Sequence, residues 1–246
     1  MTLRTVTISG ADDAVDVRDL AVLSEEFPFV EWGVLFSVKR KGTARYPTAA
    51  WRDRLRSALT AATPTAHLDR PYPISIHLCG QAARDTMGGD ARWLMEVLRC
   101  DRRVQLNGWT PAVPSYATVH PFRALERAFP STEFILQVRH EDQMQAVATE
   151  AHGFVYSASA LFDPSGGRGV EAFRWPVAPV GLKLGYVGGI KPSTVEAVLT
   201  EITLTRGTNR NPYWIDMESG VRDGGDRFDL GLVRQVLESC AKWIDR

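Results

Sequence analysis

Ser9, His77, Cys79, Asn107, Asp163, Asp216 and Glu218 share a placement that suits chemistry. Each closes, or comes within two residues of closing, a short strand-like segment. Side chains alternate along a strand, so a face that holds Ser9 also holds Thr5 and Thr7. The same alternation groups Ser75, His77 and Cys79, Gln105 with Asn107, Gln137 with Arg139, Ser159 with Asp163, and Asp216 with Glu218. The opposite faces read Val6/Ile8, Ile76/Leu78 and Leu106, which suits burial against helices. A barrel interior filled only for packing would use mostly Val, Ile and Leu. Hydroxyl, amide, carboxylate and imidazole groups on one face instead suit a small polar ligand such as a sugar or amino-sugar derivative. Gly188-Gly189 follows another strand-like segment and precedes a helix that starts near Pro192. Such glycines let backbone amides approach an anion closely. His67, His77, His120, His140 and His152 are scattered without ligand spacing, so neither a metal nor another cofactor is expected.

The segments that must position these residues number eight: Thr5–Ser9, Val30–Phe36, Ile74–Cys79, Val104–Asn107, Phe134–Val138, Ser159–Asp163, Leu184–Val187 and Trp214–Glu218. Helical spacing lies between them. Val17, Leu20 and Leu23 share one helix face, and Trp51, Leu55 and Leu59 another. Further helices are expected over Ala91–Leu98, Pro121–Ala128, Glu141–Glu150, Pro192–Ile202 with Pro192 in its first turn, and Asp229–Glu238 with Asp229 as N-cap. Pro164–Pro179, rich in Gly and Pro, predicts an elongated loop with a reduced helix. A second Pro-containing loop, with Trp109 and Tyr116, is expected to wall one side of a mouth. Eight strand–helix units in 246 residues predict an α/β protein, a (β/α)8 TIM barrel forming a single domain over residues 1–246, with its chemistry at the C-terminal strand ends.

The bulk composition bounds the partners. Lys+Arg and Asp+Glu both count 29, giving a formal net charge of zero. No basic excess points to nucleic acid. No apolar run is long enough to span a membrane, and the first residues lack the apolar core of a signal peptide. Three cysteines, Cys79, Cys100 and Cys240, have no C-x-x-C spacing and argue against a disulfide framework. A cytoplasmic monomer or homodimer with a small-molecule substrate is expected.

In order along the chain, the strand ends read Thr7-Ile-Ser-Gly10, Gly33-Val-Leu-Phe36 followed by Arg45-Tyr46, and Val104-Gln-Leu-Asn-Gly108. Then come Leu161-Phe-Asp163 with Gly166-Gly-Arg-Gly169, Val187-Gly-Gly-Ile-Lys-Pro-Ser-Thr-Val195, and Ile215-Asp-Met-Glu-Ser-Gly-Val-Arg222. This series resembles phosphoribosylanthranilate isomerase, the barrel enzyme of tryptophan synthesis, over nearly the whole chain. The resemblance implies a general acid at Asp163, an arginine holding the aromatic part of the substrate at Arg45, and a phosphate cup at Gly188, Gly189, Ser219 and Gly220. It also carries departures. The family's general-base cysteine corresponds to Ser9, and the first serine of its last motif corresponds to Glu218.

An aldose–ketose rearrangement of the family's kind needs an acid for the ring oxygen and a base for the C2 proton. Asp163 suits the acid. A serine hydroxyl holds its proton unless a neighbour activates it, so Glu218, on the strand that closes against the first, is expected to replace the thiolate, directly or through Ser9. A carboxylate there repels phosphate unless Arg168, Lys191 or Arg222 offsets it. Asn107 and Asp216 are further substrate-binding candidates, and His77, Cys79, Arg139, Arg168 and Arg222 are secondary ones. Plainer roles compete. Asp163 before Pro-Ser-Gly-Gly also suits a loop brace, and Glu218 an ion pair with Arg222. The expected function is that of a divergent isomerase-like barrel enzyme using acid/base chemistry on a small, optionally phosphorylated, sugar derivative. The alternatives are a non-catalytic ligand- or partner-binding barrel and an authentic phosphoribosylanthranilate isomerase.

Overall fold

A computed structural model describes residues 3–62, 73–99, 101–108, 124–151, 159–167, 174–209 and 211–244. Eight parallel strands close into a barrel in chain order: β1 (Leu3–Ser9), β2 (Val30–Phe36), β3 (Ile74–Leu78), β4 (Arg103–Leu106), β5 (Glu133–Val138), β6 (Ser159–Phe162), β7 (Lys183–Val187) and β8 (Tyr213–Met217). Closure is carried by β1 against β8, where Thr7 lies opposite Asp216 and Ile8 opposite Met217. Four expected strand ends fall one residue beyond the ladder. Cys79, Asn107, Asp163 and Glu218 each follow the last paired residue, and the amides of Cys79, Asn107 and Asp163 still donate to the neighbouring strand at 2.8, 2.9 and 2.8 Å.

The helices follow from capping and periodicity. Asp16 caps α1 (Val17–Glu26) by accepting from the Arg18 amide at 3.0 Å. In α2 (Ala49–Ala62) the buried residues include Trp51, Leu55 and Leu59, a stripe at i, i+4, i+8. Two short helices, α3 (Gln81–Met87) and α4 (Arg92–Val97), follow β3. Of these only the second matches an expected helix. Residues 124–128 are helical; Pro121 lies outside the described residues, as do Trp109 and Tyr116. After β5 comes α5 (Glu141–Ala151). Between β7 and β8 runs α6 (Val195–Arg206), which begins three residues later than expected. The hydroxyl of Thr194 donates to the Gly189 carbonyl at 2.8 Å and accepts from the Lys191 amide at 3.1 Å. That holds Pro192 in a turn before the helix rather than in its first turn. The last helix, α7 (Leu230–Ala241), is capped by Asp229, which accepts from the amides of Gly231 and Leu232. In the long loop after β6, the described residues 164–167 and 174–179 carry no helix.

The main core lies between the strands' outer faces and the helices, where Val6, Ile8, Ile76, Leu78, Val104 and Leu106 are fully buried. The barrel interior is different. Its apolar part is a small cluster of Ile135, Leu161 and Trp214, with Val187 against it. Gly185 makes room for the Trp214 ring, because a Cβ there would overlap it. Most other inward residues are polar and buried: Thr7, Ser9, Glu31, Ser75, His77, Arg103, Gln105, Gln137, Ser159 and Asp216.

Toward the N-terminal strand ends these residues form an ionic layer. Arg103 donates from Nη1 to both oxygens of Glu31 at 2.7 Å and from Nε to Glu133 at 3.1 Å. Thr7 also donates to Glu31, at 2.8 Å. The Arg103 guanidinium sits 4.8 Å from the Trp214 ring centroid. This plug closes the bottom of the barrel and leaves the C-terminal end to carry the cavity.

Candidate active site

A cavity of about 320 Å³ opens at the C-terminal ends of β6, β7 and β8. Asp163 and Ser165 line it from the β6 end, Gly188 and Gly189 from the β7 loop, and Asp216, Glu218, Ser219 and Gly220 from β8. The backbone explains the glycines. Gly188 and Gly189 adopt φ values of 129° and 65°, a region that side chains disfavour. At Gly220 a Cβ would overlap the Ile190 carbonyl, so the β8 turn packs directly onto the β7 loop. Among the described residues, the amides of Gly188, Gly189, Ser219 and Gly220 donate no hydrogen bond.

Asp216 is the most perturbed group in the cavity. It is 4 % exposed. Ser9 Oγ donates to its Oδ1 at 2.8 Å, and Gln105 Nε2 reaches its Oδ2 at 3.4 Å. Burial, reinforced by the charges of Glu218 and Glu31, raises its pKa to about 7 against the pull of those two hydrogen bonds. Gly33 makes this pairing possible, because a Cβ on β2 would overlap the Ser9 hydroxyl. Gln105 links further outward, donating to Asn107 at 2.9 Å, and its Nε2 lies 3.3 Å from His77 Nδ1. Asn107 in turn donates to the Cys79 thiol at 3.5 Å.

Asp163 occupies the other side. Its Oδ2 accepts from Gln137 Nε2 at 2.6 Å and from the Gly167 amide at 2.5 Å. Its Oδ1 accepts from the amide and hydroxyl of Ser165 at 3.0 and 2.7 Å. The loop-bracing arrangement is therefore present, in a residue that also lines the cavity.

Glu218 lines the cavity but does not bind Ser9. Its Oε1 accepts from Arg45 Nη1 at 2.5 Å. The other Arg45 nitrogen pairs with Asp226, and the Arg45 amide donates to Asp12 at 2.7 Å. Arg222, the partner expected for Glu218, instead donates to the Gly10 carbonyl at 2.8 Å and to Asp226 at 2.9 Å. Together these residues clasp the loops after β1, β2 and β8. Glu218 and Ser9 differ in direction because the ladder ends at Met217 and Glu218 takes φ −129°, ψ −66°, which breaks the alternation.

The secondary candidates separate. Burial pushes the His77 pKa down to about 4, so its imidazole is neutral near pH 7. Its Nε2 is buried without a hydrogen-bond partner among the described residues. Burial pushes the Cys79 thiol up to about 11, so it holds its proton at neutral pH. Arg139 lies across Gly166, where a Cβ would overlap its guanidinium. Arg168 lies outside the described residues. Alternation turns Gln137 and Gln105 inward without marking them as site residues, yet they hold the two cavity aspartates. Ser165 had no signal beyond its place in a turn. Among the described residues no group of three or more His, Cys, Asp or Glu is placed to hold a metal ion, and no helix is long and apolar enough to cross a membrane.

No family model matches the chain. No curated protein matches it either. Solved structures do. Phosphoribosyl anthranilate isomerase from Thermus thermophilus superposes with a TM-score of 0.56 at 19% identity, covering 97% of this chain and 99% of that one. A phosphoribosyl anthranilate isomerase in complex with reduced 1-(o-carboxyphenylamino)-1-deoxyribulose 5-phosphate gives 0.53 at 16% identity, covering 98% and 100%. TrpF from Jonesia denitrificans gives 0.51 at 14%, covering 96% of each chain. At these identities the likeness is one of architecture: the chain has the closed eight-stranded barrel found in phosphoribosylanthranilate isomerases.

Proposed function

We propose that this protein is an acid/base isomerase of the phosphoribosylanthranilate isomerase-like kind, acting on a small sugar derivative, with Asp216 as its base and Asp163 as its acid. The observation that carries the reading is that two carboxylates of different environment face one cavity. Asp216, held by Ser9 and raised to about 7, is poised near neutrality, where a general base works best. In the reaction, Asp163 delivers a proton to the ring oxygen and the ring opens. Asp216 then removes the proton from C2, and the resulting enol ketonises. Asp163 accepts four hydrogen bonds, so one of them must be released and a proton taken up in its place before it can donate to the substrate's oxygen. Ser9 orients Asp216 and does not itself need to ionise. Glu218, committed to Arg45, is a binding-site charge in this scheme rather than the base.

The half-reaction supplies a test that does not require the natural substrate. Solvent deuterium exchange at C2 of a panel of aldoses and glycosylamines is followed by proton NMR. Wild-type protein should catalyse exchange in at least one of them, and Asp216→Asn should slow it by about 10²–10⁴-fold, the usual contribution of a positioned base. No exchange across the panel, or equal rates for wild type and variant, would refute the assignment.

A further inference from the structure

Two features of the cavity oppose each other. Gly188, Gly189, Ser219 and Gly220 line it, and their backbone amides have no hydrogen bond to any described residue. Unpaired amides gathered at one cavity attract an anion. Yet the described side chains lining the same space include three carboxylates, Asp163, Asp216 and Glu218, against one cation, Lys191. Lys191 is exposed, so its charge is largely screened by water. The guanidinium nearest Glu218 is shared: Arg45 divides itself between Glu218 and Asp226. Arg222 is held by the Gly10 carbonyl and by Asp226.

Packing and pairing both place Glu218 at the cavity. Its Cγ would lie 2.9 Å from a Cβ at Gly10, so the chain at Gly10 leaves space for this side chain. Arg45 then anchors its carboxylate at the edge of the cavity. The glutamate cannot retreat without breaking that pair.

We propose that Glu218 is a specificity-determining residue that excludes phosphate from the amide cup, so that the site takes an unphosphorylated polyhydroxy or amino sugar. The inference rests on reading this cavity as the substrate site. The amides then donate to neutral hydroxyl or carbonyl oxygens, and Glu218 accepts from a substrate hydroxyl or ammonium. A phosphate ester is rejected because its charge would be set beside that of a like-charged carboxylate, and such juxtaposition is an effective means of discrimination.

Glycine-labelled protein and inorganic phosphate test this directly, at constant ionic strength. The ¹⁵N–¹H signals of Gly188, Gly189 and Gly220 are followed during titration of wild type, Glu218→Gln and Glu218→Ser, the second variant guarding against a folding defect in the first. In wild type these signals should stay in place at millimolar phosphate. In the neutral variants they should shift, with affinity raised by about tenfold or more. Phosphate-dependent shifts in wild type would overturn the proposal. So would variants that bind no better than wild type, since Glu218 would then not be the barrier. The outcome is separable from the acid/base reading: loss of C2 exchange refutes that reading without moving the glycine signals, and phosphate binding by wild type refutes this one while leaving exchange intact.

Discussion

The barrel buries carboxylates at two levels, and the two are treated differently. At the N-terminal end, Glu31 and Glu133 share the guanidinium of Arg103. Burial alone would raise Glu133, but the Arg103 charge, with Lys183 and the Ser159 hydroxyl, holds it below its ordinary value. At the C-terminal end, Asp216 is as deeply enclosed as Glu31 but receives only neutral donors, Ser9 and Gln105. Its pKa rises to about 7. A buried acid given a fixed cation is held ionised and serves structure. A buried acid given hydroxyl and amide donors is left able to gain and lose a proton in the physiological range.

The sharpest way to break this contrast is the exchange assay. Asp216→Asn should reduce C2 proton exchange by about 10²–10⁴-fold. Glu133→Gln, in the paired layer, should leave the rate of the folded protein near wild type. Equal losses in both would mean that the upper layer is no more functional than the lower.

Next in size is the lower layer's stability. Arg103→Met leaves Glu31 buried without its cation and Glu133 with only Lys183. Breaking a buried pair from one side typically costs about 3–5 kcal/mol, so the urea midpoint should fall sharply. A loss too small to measure would show that Arg103 does not hold the layer together.

The pH dependence of stability separates the levels further. Asp216 ionises near its ordinary value of 3.8 when unfolded and near 7 when folded. Between those values the native state holds a proton that the unfolded chain has released, so stability falls as pH rises. The contribution of protonated Asp216 is whole below about pH 4, is lost progressively up to about pH 7, and is level above. Asp216→Asn removes this dependence. Its melting temperature relative to wild type should therefore climb between pH 4 and pH 7 and then plateau, by an amount on the order of a few kcal/mol in stability. Taking the difference between the two proteins cancels the opposite trend from His77, which is held neutral down to about pH 4. A flat difference across that range would mean that Asp216 is ionised in the folded protein throughout.

Much of this arrangement is legible in the sequence. The inward face of Thr7, Ser9, Gln105 and Gln137 followed from two-residue alternation, and the Asp229 cap from its place before an apolar helical stripe. What alternation does not carry is which strand's residue meets which. Arg103 and Glu133 are register partners on β4 and β5, and Glu31, from β2, is brought to them only by the stagger of a closed barrel. Nor does it say where a strand ends. Asp216 and Glu218 share a face on paper, but pairing stops at Met217, and one carboxylate turns to Ser9 while the other turns to Arg45. The α3 helix was not anticipated because its buried residues, Ala82, Ala83 and Thr86, are too small to give an apolar stripe.

The smallest expected effect reuses the lower layer's motif at the surface. Arg45 also sits between two carboxylates, Glu218 and Asp226, but its side chain is 25% exposed and theirs 33% and 61%. Water screens these charges, and pairs of this kind are worth about 0–1 kcal/mol. Arg45 also adopts φ 72°, a conformation that a side chain tolerates poorly. The Asp12 carboxylate holds its amide there, a bond that Arg45→Ala leaves intact. The variant should therefore lower stability by less than about 1 kcal/mol, and added salt should shrink the difference from wild type further. The measurement is the urea midpoint of Arg45→Ala beside that of Arg103→Met. A loss as large as that of Arg103→Met would show that the clasp over the mouth, and not burial, decides how much such an arginine contributes.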